Sequence, residues 1–588
     1  MGDLLELLDE NQFKVRAYRQ AAQVIDTLPT PVSELVRDGT LTALPGIGEG
    51  IAGRIAELVE HGTFEEHDRL AARVPPGVLE LLEIEGVGPK TVSSVWMGLG
   101  IRDIDALEVA CRSGRILEAP RMGELRARAI LQAIARHRAR KGRMLLHRAL
   151  WIADEIVARL REVHGALRVE ACGSVRRRLE TVGDLDVLVG SKDPGPVTRT
   201  FVGMPEVASV VSEGPTKSSV RLKVGLQVDL RIVAPETFGA ALHYFTGSKA
   251  HNIALRTRAL RRGIKLSEYG VFDREGRRLG GAEEKDVFEI VGLPWIPPEI
   301  REGSGEIEAA EAGKLPRLIE EKDVLGDMHV HSDASSDGQS SLDELADEGK
   351  KLGRRYLAIT DHSRSRPLGL DADALRAHAR QVASVDRKRG GRPKLLRGVE
   401  VDILPDGSLD LPRDVLTELD WVVASVHSHF TDPEERMTDR IVRALESGVV
   451  DVLGHPSGRL IGRRDPYAFD LQRVIDVAKK RGVALEINAQ PERLDLSDKA
   501  CRLARDAGVA LVISSDSHAA NHLANLRFGV WAARRGWIEA GDVLNTRPWP
   551  WDGGERNSER RRIHSEKREA RARGGPGGTE GSPRRNER

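Results

Sequence analysis

The spacing of apolar positions changes character several times along the chain. Residues 1–140 carry apolar repeats at helical spacing, broken by Gly and Pro, which predicts a series of short amphipathic helices. From Lys141 to Gly165 the repeat lengthens, with Met144, Leu145, Ile152, Ile156, Leu160 and Val163 near the helical period. From Leu167 it shortens to strand-like runs: LRVEA, DLDVLVG, VASVV, SSVRLKV and LQVDLRIV. Helical spacing returns after Pro235 and runs to about Gly263. Residues 293–305, LPWIPPEIREGSG, are rich in Pro and Gly and read as a linker. From Gly326 to about Leu544 apolar strands alternate with amphipathic helices, the pattern of βα units with parallel strands. From Asp552 the chain is charged, Gly-rich and nearly free of large apolar residues, which predicts a disordered tail.

A length of 588 residues implies about three to five domains. Lys+Arg and Asp+Glu both count 90, so a uniformly basic nucleic-acid coat is excluded. Any contact with DNA must come from local patches and backbone amides. The cysteines Cys111, Cys172 and Cys501 are far apart and form no CxxC pair, which argues against a disulfide framework or a thiolate zinc site. The acidic start MGDLLELLDE lacks the basic and apolar regions of a signal peptide, and no apolar run is long enough to span a bilayer. The expectation is a cytoplasmic protein without membrane contact.

Two short segments near the start share one shape. Leu44-Pro45-Gly46-Ile47-Gly48 and Ile84-Glu85-Gly86-Val87-Gly88-Pro89-Lys90 each precede a helix. Such glycines permit a tight turn and close backbone approach, and the amides at the helix start can hold a phosphate oxygen. A single turn of this kind is ordinary architecture. Two copies, each with an apolar residue between the glycines, resemble the helix-hairpin-helix, which clamps DNA backbone without reading bases. Gly46, Gly48, Gly86 and Gly88 are therefore the expected DNA-binding positions.

The strongest feature of the first half is Gly173-Ser174-Val175-Arg176-Arg177, followed by Gly183-Asp184-Leu185-Asp186-Val187-Leu188. Asp184 and Asp186, two apart on a strand, project from one face, while Leu185, Val187 and Val189 point into the core. Asp229 lies among apolar residues on another strand, in LQVDLRI. Three carboxylates on rigid strands are what two divalent ions need for in-line phosphoryl transfer. Asp229 is the expected third ligand and the base for a primer 3′-hydroxyl. The amides of Gly173 and Ser174, the Ser174 hydroxyl and Arg177 are placed to grip a triphosphate.

This motif resembles the nucleotidyltransferase palm of family X DNA polymerases, of which the polymerase beta type is best known. The segment Tyr244-Phe245-Thr246-Gly247-Ser248-Lys249-Ala250-His251-Asn252, then Arg256, strengthens the likeness, which spans roughly residues 1–295. The resemblance implies that Tyr244 and Phe245 lie against the sugar and disfavour ribonucleotides. It implies that Asn252 meets the minor-groove edge of the base and that Arg256 touches the template. Gly183, Thr246 and Gly247 complete the expected nucleotide site, with two Mg2+ or Mn2+ ions at the aspartates. One departure stands out. Where the polymerase beta type carries a Schiff-base lysine after the first Gly-hairpin, this sequence has Arg54. Arginine stays protonated and cannot act as that nucleophile.

The second half carries a distributed donor set: Asp327-Met328-His329-Val330-His331, Ser336-Asp337-Gly338, Asp361-His362, Glu400-Val401-Asp402, His427-Ser428-His429, His455-Pro456 and Asp516-Ser517-His518. Apart from the loop holding Asp337, each block closes an apolar strand. In a parallel barrel these ends converge on one face. Histidine and carboxylate without cysteine suit manganese, zinc or iron, two or three ions in all. The set resembles the polymerase and histidinol phosphatase (PHP) domain of bacterial- and archaeal-type family X polymerases. That likeness assigns nine ligands: His329, His331, Asp337, His362, Glu400, His427, His455, Asp516 and His518. Asp333 competes with Asp337 for its role, and His429 with His427.

The expected architecture is a helix-hairpin-helix domain (1–70), fingers with the second hairpin (71–140), an α+β palm (141–235), a thumb (236–295), a linker (296–322), a distorted (β/α)7 barrel (323–548) and a disordered tail (549–588). The resemblance implies filling of short gaps in DNA repair, with a metal-dependent 3′-5′ exonuclease in the barrel, and it leaves room there for an abasic-site endonuclease. Partners are gapped or nicked DNA and dNTPs, acting on a monomer. Two alternatives are a polymerase with a purely structural barrel and a DNA-tethered phosphatase of small molecules.

Overall fold

The computed structural model describes residues 1–550 except Asp9, 27–31, Pro45, Glu85, Arg121, Lys141, Ser336 and Pro367, so the expected tail lies almost wholly outside the described residues. Residues 2–140 form short helices. The two Gly-hairpins lead into α1 (Glu49–His61) and α2 (Pro89–Leu99). Gly46 and Gly86 have φ of +79° and +78°, values that favour glycine, while Gly48 and Gly88 cap their helices in extended geometry. Leu4, Leu5 and Leu7 pack with Leu70, Val92 and Ile130, so the first helix belongs to the core of the second hairpin region.

The pattern change at Leu167 marks a five-stranded sheet. Its strands are β1 (Ala166–Ala171), β2 (Asp184–Ser191), β3 (Val207–Ser212), β4 (Lys217–Leu222) and β5 (Gln227–Val233), in spatial order β1-β2-β5-β4-β3. Only β2 and β5 run parallel. The helix α3 (Leu146–Arg161) covers one face through Leu146, Ala149 and Leu160, against Leu185, Val187 and Val189. Leu188 faces the other way, onto Phe238 of α4 (Phe238–Thr246). Met144 and Leu145, expected in the helix, form a short strand with Thr181 and Val182. Gly247 separates α4 from α5 (Lys249–Arg261), and a small three-stranded sheet follows over 265–280.

The stretch read as a linker is a correction to the sequence reading. Ile296, Ile300, Arg301 and Glu306 are buried, and Ile296, Ile300 and Ile307 join the core containing Leu255 and Phe288. Proline and glycine removed the helical signal, but the interleaved isoleucines supply the apolar anchor that a linker lacks.

The second half is a nearly closed barrel of seven parallel strands in sequence order: β6 (Gly326–Val330), β7 (Tyr356–Ile359), β8 (Lys394–Asp402), β9 (Trp421–Ser425), β10 (Val452–Leu453), β11 (Ala484–Asn488) and β12 (Leu511–Ser514). Backbone bonds between His331 and Ser517 (2.7 Å) and Ser517 and His329 (3.3 Å) draw the last strand end toward the first. Tyr356, Ala358, Leu396, Trp421, Val423, Ala484 and Val512 fill the interior. Two-residue periodicity continues that inward row to Glu400, Ser425 and Glu486 at the C-terminal ends. Among the described residues no helix is long and apolar enough to cross a membrane.

Gly239 fixes how α4 meets the next segment. A Cβ there would lie 2.1 Å from the Glu283 carbonyl carbon, and Gly239 N donates to Ala282 O at 3.0 Å. Gly239→Ala is expected to destabilise the polymerase half by ~3 kcal/mol, the upper end of ordinary overpacking. Thermal unfolding would show it as a lowered transition temperature; an unchanged transition would contradict this packing.

Candidate active sites

The first site forms where β2 and β5 pair. Asp186 and Asp229 are direct register partners, and Asp184 opens the same strand, more exposed. Burial, then the charges of Asp184 and Asp229, raise the Asp186 carboxyl to about 6. Cationic help is outweighed: Arg231 and then Lys217, whose Nζ stands 3.5 Å from Asp229 Oδ2, act to lower that value, and the neutral Gln227 Nε2 donates to Asp229 Oδ1 at 2.9 Å. Three converging acids whose repulsion outweighs this help fit divalent cations.

The Gly173–Arg178 turn lies directly over these acids. Gly173 has φ +63°, and a Cβ there would approach Asp186 Oδ2 to 2.6 Å, so only glycine fits. Arg176 donates from both terminal nitrogens to Glu284 (2.6 and 2.9 Å) and to Thr246 Oγ1 (2.6 Å). Arg301 also donates to Glu284 at 2.7 Å, and Trp295 Nε1 at 3.0 Å. Burial alone would raise Glu284; the two guanidiniums instead hold it far below the usual carboxylate range.

Arg177, expected to meet a triphosphate, instead donates to Glu302 Oε1 (3.0 Å) and to the Thr246 carbonyl. It thereby joins the turn to the Thr246-Gly247 corner. Asn252 donates to the Tyr244 carbonyl at 2.8 Å. Tyr244 and Phe245 meet edge to face, with ring centroids 5.1 Å apart, and the Arg256 guanidinium stands 5.8 Å over Tyr244. Gly183 sits beside Arg143, whose nitrogen would be 3.1 Å from a Cβ. In the N-terminal region a Cβ on Gly48, Gly86 or Gly88 would meet nothing within 4 Å, which leaves those helix starts open to a ligand. Arg54 pairs with Glu66 at 2.8 Å, and Lys14 shares that carboxylate at 3.1 Å.

The second site occupies the C-terminal mouth of the barrel. Eight of the nine expected donors fall into three overlapping groups: His331, Asp337, His362 and His518; His329, His331 and Asp516; and His362, Glu400 and His427. Within each group the donor atoms lie within 4.8 Å of one another. His455 joins through Nε2, 3.0 Å from Glu400 Oε1. His429 is half exposed beside Asp432, and Asp333 is exposed, so Asp337 and His427 hold the contested places.

The electrostatics favour a cation. Burial depresses the His331 imidazole to about 4, helped by His518 and His362. Burial also opposes charge on His362, yet Glu400 and Asp337 carry it up to about 10. Buried Glu400 is held well below the usual range by His427, His362 and His329. His329 Nε2 and both nitrogens of His331 are buried without a hydrogen-bond partner among the described residues, while His362 Nδ1 and Glu400 Oε2 face each other at 2.8 Å. Such orphaned atoms are costly unless an ion satisfies them, so the donor set fits divalent metal.

Sequence reading missed Glu486 and gave Asp361 and Asp402, inside the donor blocks, no role of their own. Glu486 Oε1 lies 2.8 Å from His329 Nδ1, and its other oxygen accepts from the His455 amide. Asp402 accepts from His427 Nδ1. Asp361 lies 2.8 Å from His378 and accepts from Ser332 and Ser335 in the loop leading to Asp337. The signal for Glu486 was present: a lone acid inside the apolar strand ALEIN. Such partners fix imidazole orientation for metal binding.

Comparisons with known proteins follow this division. Residues 1–64 match the helix-hairpin-helix domain and 78–136 the SAM-like helix-hairpin-helix tandem. Residues 241–302 match the DNA polymerase beta thumb and 327–490 the PHP domain. The chain is 39% identical over 548 residues to a Bacillus subtilis (strain 168) protein named DNA polymerase/3′-5′ exonuclease PolX, covering 92% of this chain and 95% of that one. Its C-terminal part is 29% identical over 233 residues to a probable phosphatase of Thermoanaerobacter sp. (strain X514), covering 37% of this chain and 89% of that one. A solved Leishmania infantum polymerase beta ternary P/T complex aligns at 21% identity over 38% of this chain and 98% of that one, with a TM-score of 0.26, too low to carry an argument.

The raised Asp186 carboxyl gives a pH signature. Its contribution to metal-free stability is present below the ordinary value of 3.8 and is lost as pH rises through about 6. A divalent cation competes with that proton. The thermal shift produced by Mg2+ is therefore expected to grow between pH 5 and pH 7, by about tenfold in apparent affinity per pH unit on the acid side. Scanning fluorimetry of wild type and Asp186→Asn checks this: an equal rise in both would contradict it.

Proposed function

This chain belongs to the family X DNA polymerases that carry a C-terminal PHP domain, and from that premise we infer that it fills short gaps in DNA and trims 3′-ends at two separate sites. It is a DNA polymerase and a 3′-5′ exonuclease. The observation that carries the two-site reading is the aspartate trio of one fold and the histidine-carboxylate set of the other, the latter with orphaned donor atoms.

At the first site Asp184, Asp186 and Asp229 would hold two Mg2+ or Mn2+ ions. Divalent ions there supply charge neutralisation and alignment for in-line displacement on a dNTP. Asp229, opposite Asp186, accepts the proton of the primer 3′-hydroxyl. The amides of Gly173 and Ser174, with the Ser174 hydroxyl and Gly183, receive the triphosphate. Tyr244, Phe245, Thr246, Gly247 and Asn252 form the wall against sugar and base, and Arg256 reaches the template. Arg177 serves this site through the Thr246-Gly247 corner, in keeping with its bond to the Thr246 carbonyl. Gly46, Gly48, Gly86 and Gly88 present helix-start amides to the backbone of gapped or nicked DNA.

At the second site His329, His331, Asp337, His362, Glu400, His427, His455, Asp516 and His518 would hold two or three ions, Mn2+, Zn2+ or Fe2+. Such ions supply an activated water and offset charge on the departing oxygen of a phosphodiester. Glu486 and Asp402 hold His329 and His427 in register. The orphaned donor atoms favour this over a purely structural barrel. The barrel alone would also suit a small-molecule phosphatase, but the aspartate trio in the same chain favours DNA as its substrate. We assign the working unit as a monomer and the domain limits as 1–70, 71–140, 141–235, 236–295 and 323–548, with 296–322 completing the thumb.

Asp186→Ala is expected to lower nucleotide addition by at least ~100-fold and leave exonuclease activity intact, and His331→Ala to do the reverse. Primer extension and degradation on one-nucleotide-gapped DNA, in Mg2+ and then Mn2+, read both; full Mn2+-dependent exonuclease activity in His331→Ala would reject the second site. With Arg54 in the lyase position, borohydride should trap no strong adduct on abasic DNA. A strong adduct would sink that expectation unless another lysine were shown to carry it, as loss of the adduct in Lys14→Ala, the lysine sharing Glu66 with Arg54, would show.

A further inference from the structure

The loop that covers the polymerase aspartates is braced from outside its own domain. Helix α6 (Leu526–Arg535) belongs to the barrel half, and it presents Trp531, Arg534 and Arg535, three and four residues apart, on one face. Trp531 packs against the palm core and lies under the Arg178 guanidinium at 4.2 Å. Arg534 pairs with Glu299 at 2.8 Å. Arg535 reaches furthest. Its Nη1 donates to the Arg177 carbonyl (3.0 Å) and to Glu302 Oε1 (3.0 Å), and its Nη2 donates to Asp498 Oδ2 (2.7 Å).

These bonds converge on the geometry of the nucleotide site. Glu302 is shared, accepting from Arg177 Nε on one side and Arg535 on the other. Arg177 in turn holds the Thr246 carbonyl, one residue before Gly247. At the other end of the same turn, Gly173 touches Asp186 so closely that no Cβ fits. Moving the Arg177 backbone therefore moves the surface that meets the triphosphate and the corner that carries the sugar wall. The network is balanced, with Arg177 and Arg535 against Glu302 and Asp498, and the Arg535 side chain is only 12% exposed. A planar guanidinium can reach a carbonyl and two carboxylates at once; an ammonium on a flexible stem holds them less rigidly.

We propose that Arg535, contributed by the PHP domain, is a positioning residue for nucleotide addition, setting the Gly173–Arg178 turn and the Thr246-Gly247 corner through Arg177 and Glu302. The inference rests on reading Asp184, Asp186 and Asp229 as the nucleotide-adding site. The full-length Arg535→Met variant should raise the dNTP KM at least ~5-fold while kcat changes less than ~3-fold, because binding geometry rather than chemistry is disturbed. Mn2+-dependent exonuclease activity should stay within ~2-fold of wild type, and Arg535→Lys should recover part of the KM. A purely structural role would lower the melting temperature and leave the dNTP KM alone. Should Arg535→Met melt below the assay temperature, Arg535→Gln, whose uncharged amide ends two bonds short of the Nη1 that meets the Arg177 carbonyl, is read in the same way. A folded variant with the wild-type dNTP KM overturns the proposal. A wild-type chain that adds no nucleotide would instead overturn the site assignment itself.

Discussion

A carboxylate taken out of water must find a cation or a proton, and this requirement organises the whole molecule. It is met in three ways. Glu284 and Glu302 face arginines, whose charge is permanent, and they act as fixed joints between segments. Glu400 and Asp516 face histidines, whose charge is exchangeable, in a pocket with orphaned nitrogen atoms. Asp184, Asp186 and Asp229 face mainly each other. The first arrangement is complete as it stands. The second and third are complete only with metal. Among these residues the permanence of the neighbouring charge parts the two joints from the two clusters, although His251 and Glu306, buried at 2.8 Å, form a joint of the second kind outside either cluster.

The same rule explains how far the sequence could be read. The aspartates on β2 and β5 were legible because charge on alternate positions of an otherwise apolar strand has few innocent explanations. The barrel donors other than Asp337 were legible as a group because each block ends an apolar run, and parallel strands deliver their ends to one face. The joints were not legible. Arg176, Arg177 and Arg178 are three adjacent arginines, and spacing does not say that one meets Glu284, the next Glu302, and the third Trp531. Their partners lie about 100 to 350 residues away, and long-range pairing leaves no local period. The buried 296–307 segment was hidden for a related reason. Its prolines suppress helical periodicity, while its burial depends on a core assembled from α5 and its neighbours.

Glu486 shows an intermediate case. A lone acid in ALEIN is unusual enough to mark, but its role depends on His329, which lies 157 residues earlier. In a barrel the strand that supplies a ligand and the strand that orients it need not be neighbours in sequence. β6 and β11 meet across the interior, not along the sheet. The outer layer of a metal site on this fold is therefore harder to read than its ligands, because a support is defined by the residue it meets across the barrel and no local period records that pairing.

The zero net charge now acquires a physical meaning. A uniformly basic protein would hold DNA by charge alone, whatever the state of its active sites. Here acids and bases balance over the chain. Without divalent ions the aspartate trio carries negative charge that opposes a phosphate backbone or a triphosphate brought near it. Ions at those acids reverse the sign of the local field exactly where phosphate must come closest. Binding of metal and of nucleotide at the palm are then coupled, and by linkage each tightens the other by the same factor. A chain of balanced charge adds no uniform positive field of its own, so the field at either site is set by the acids, bases and ions around it.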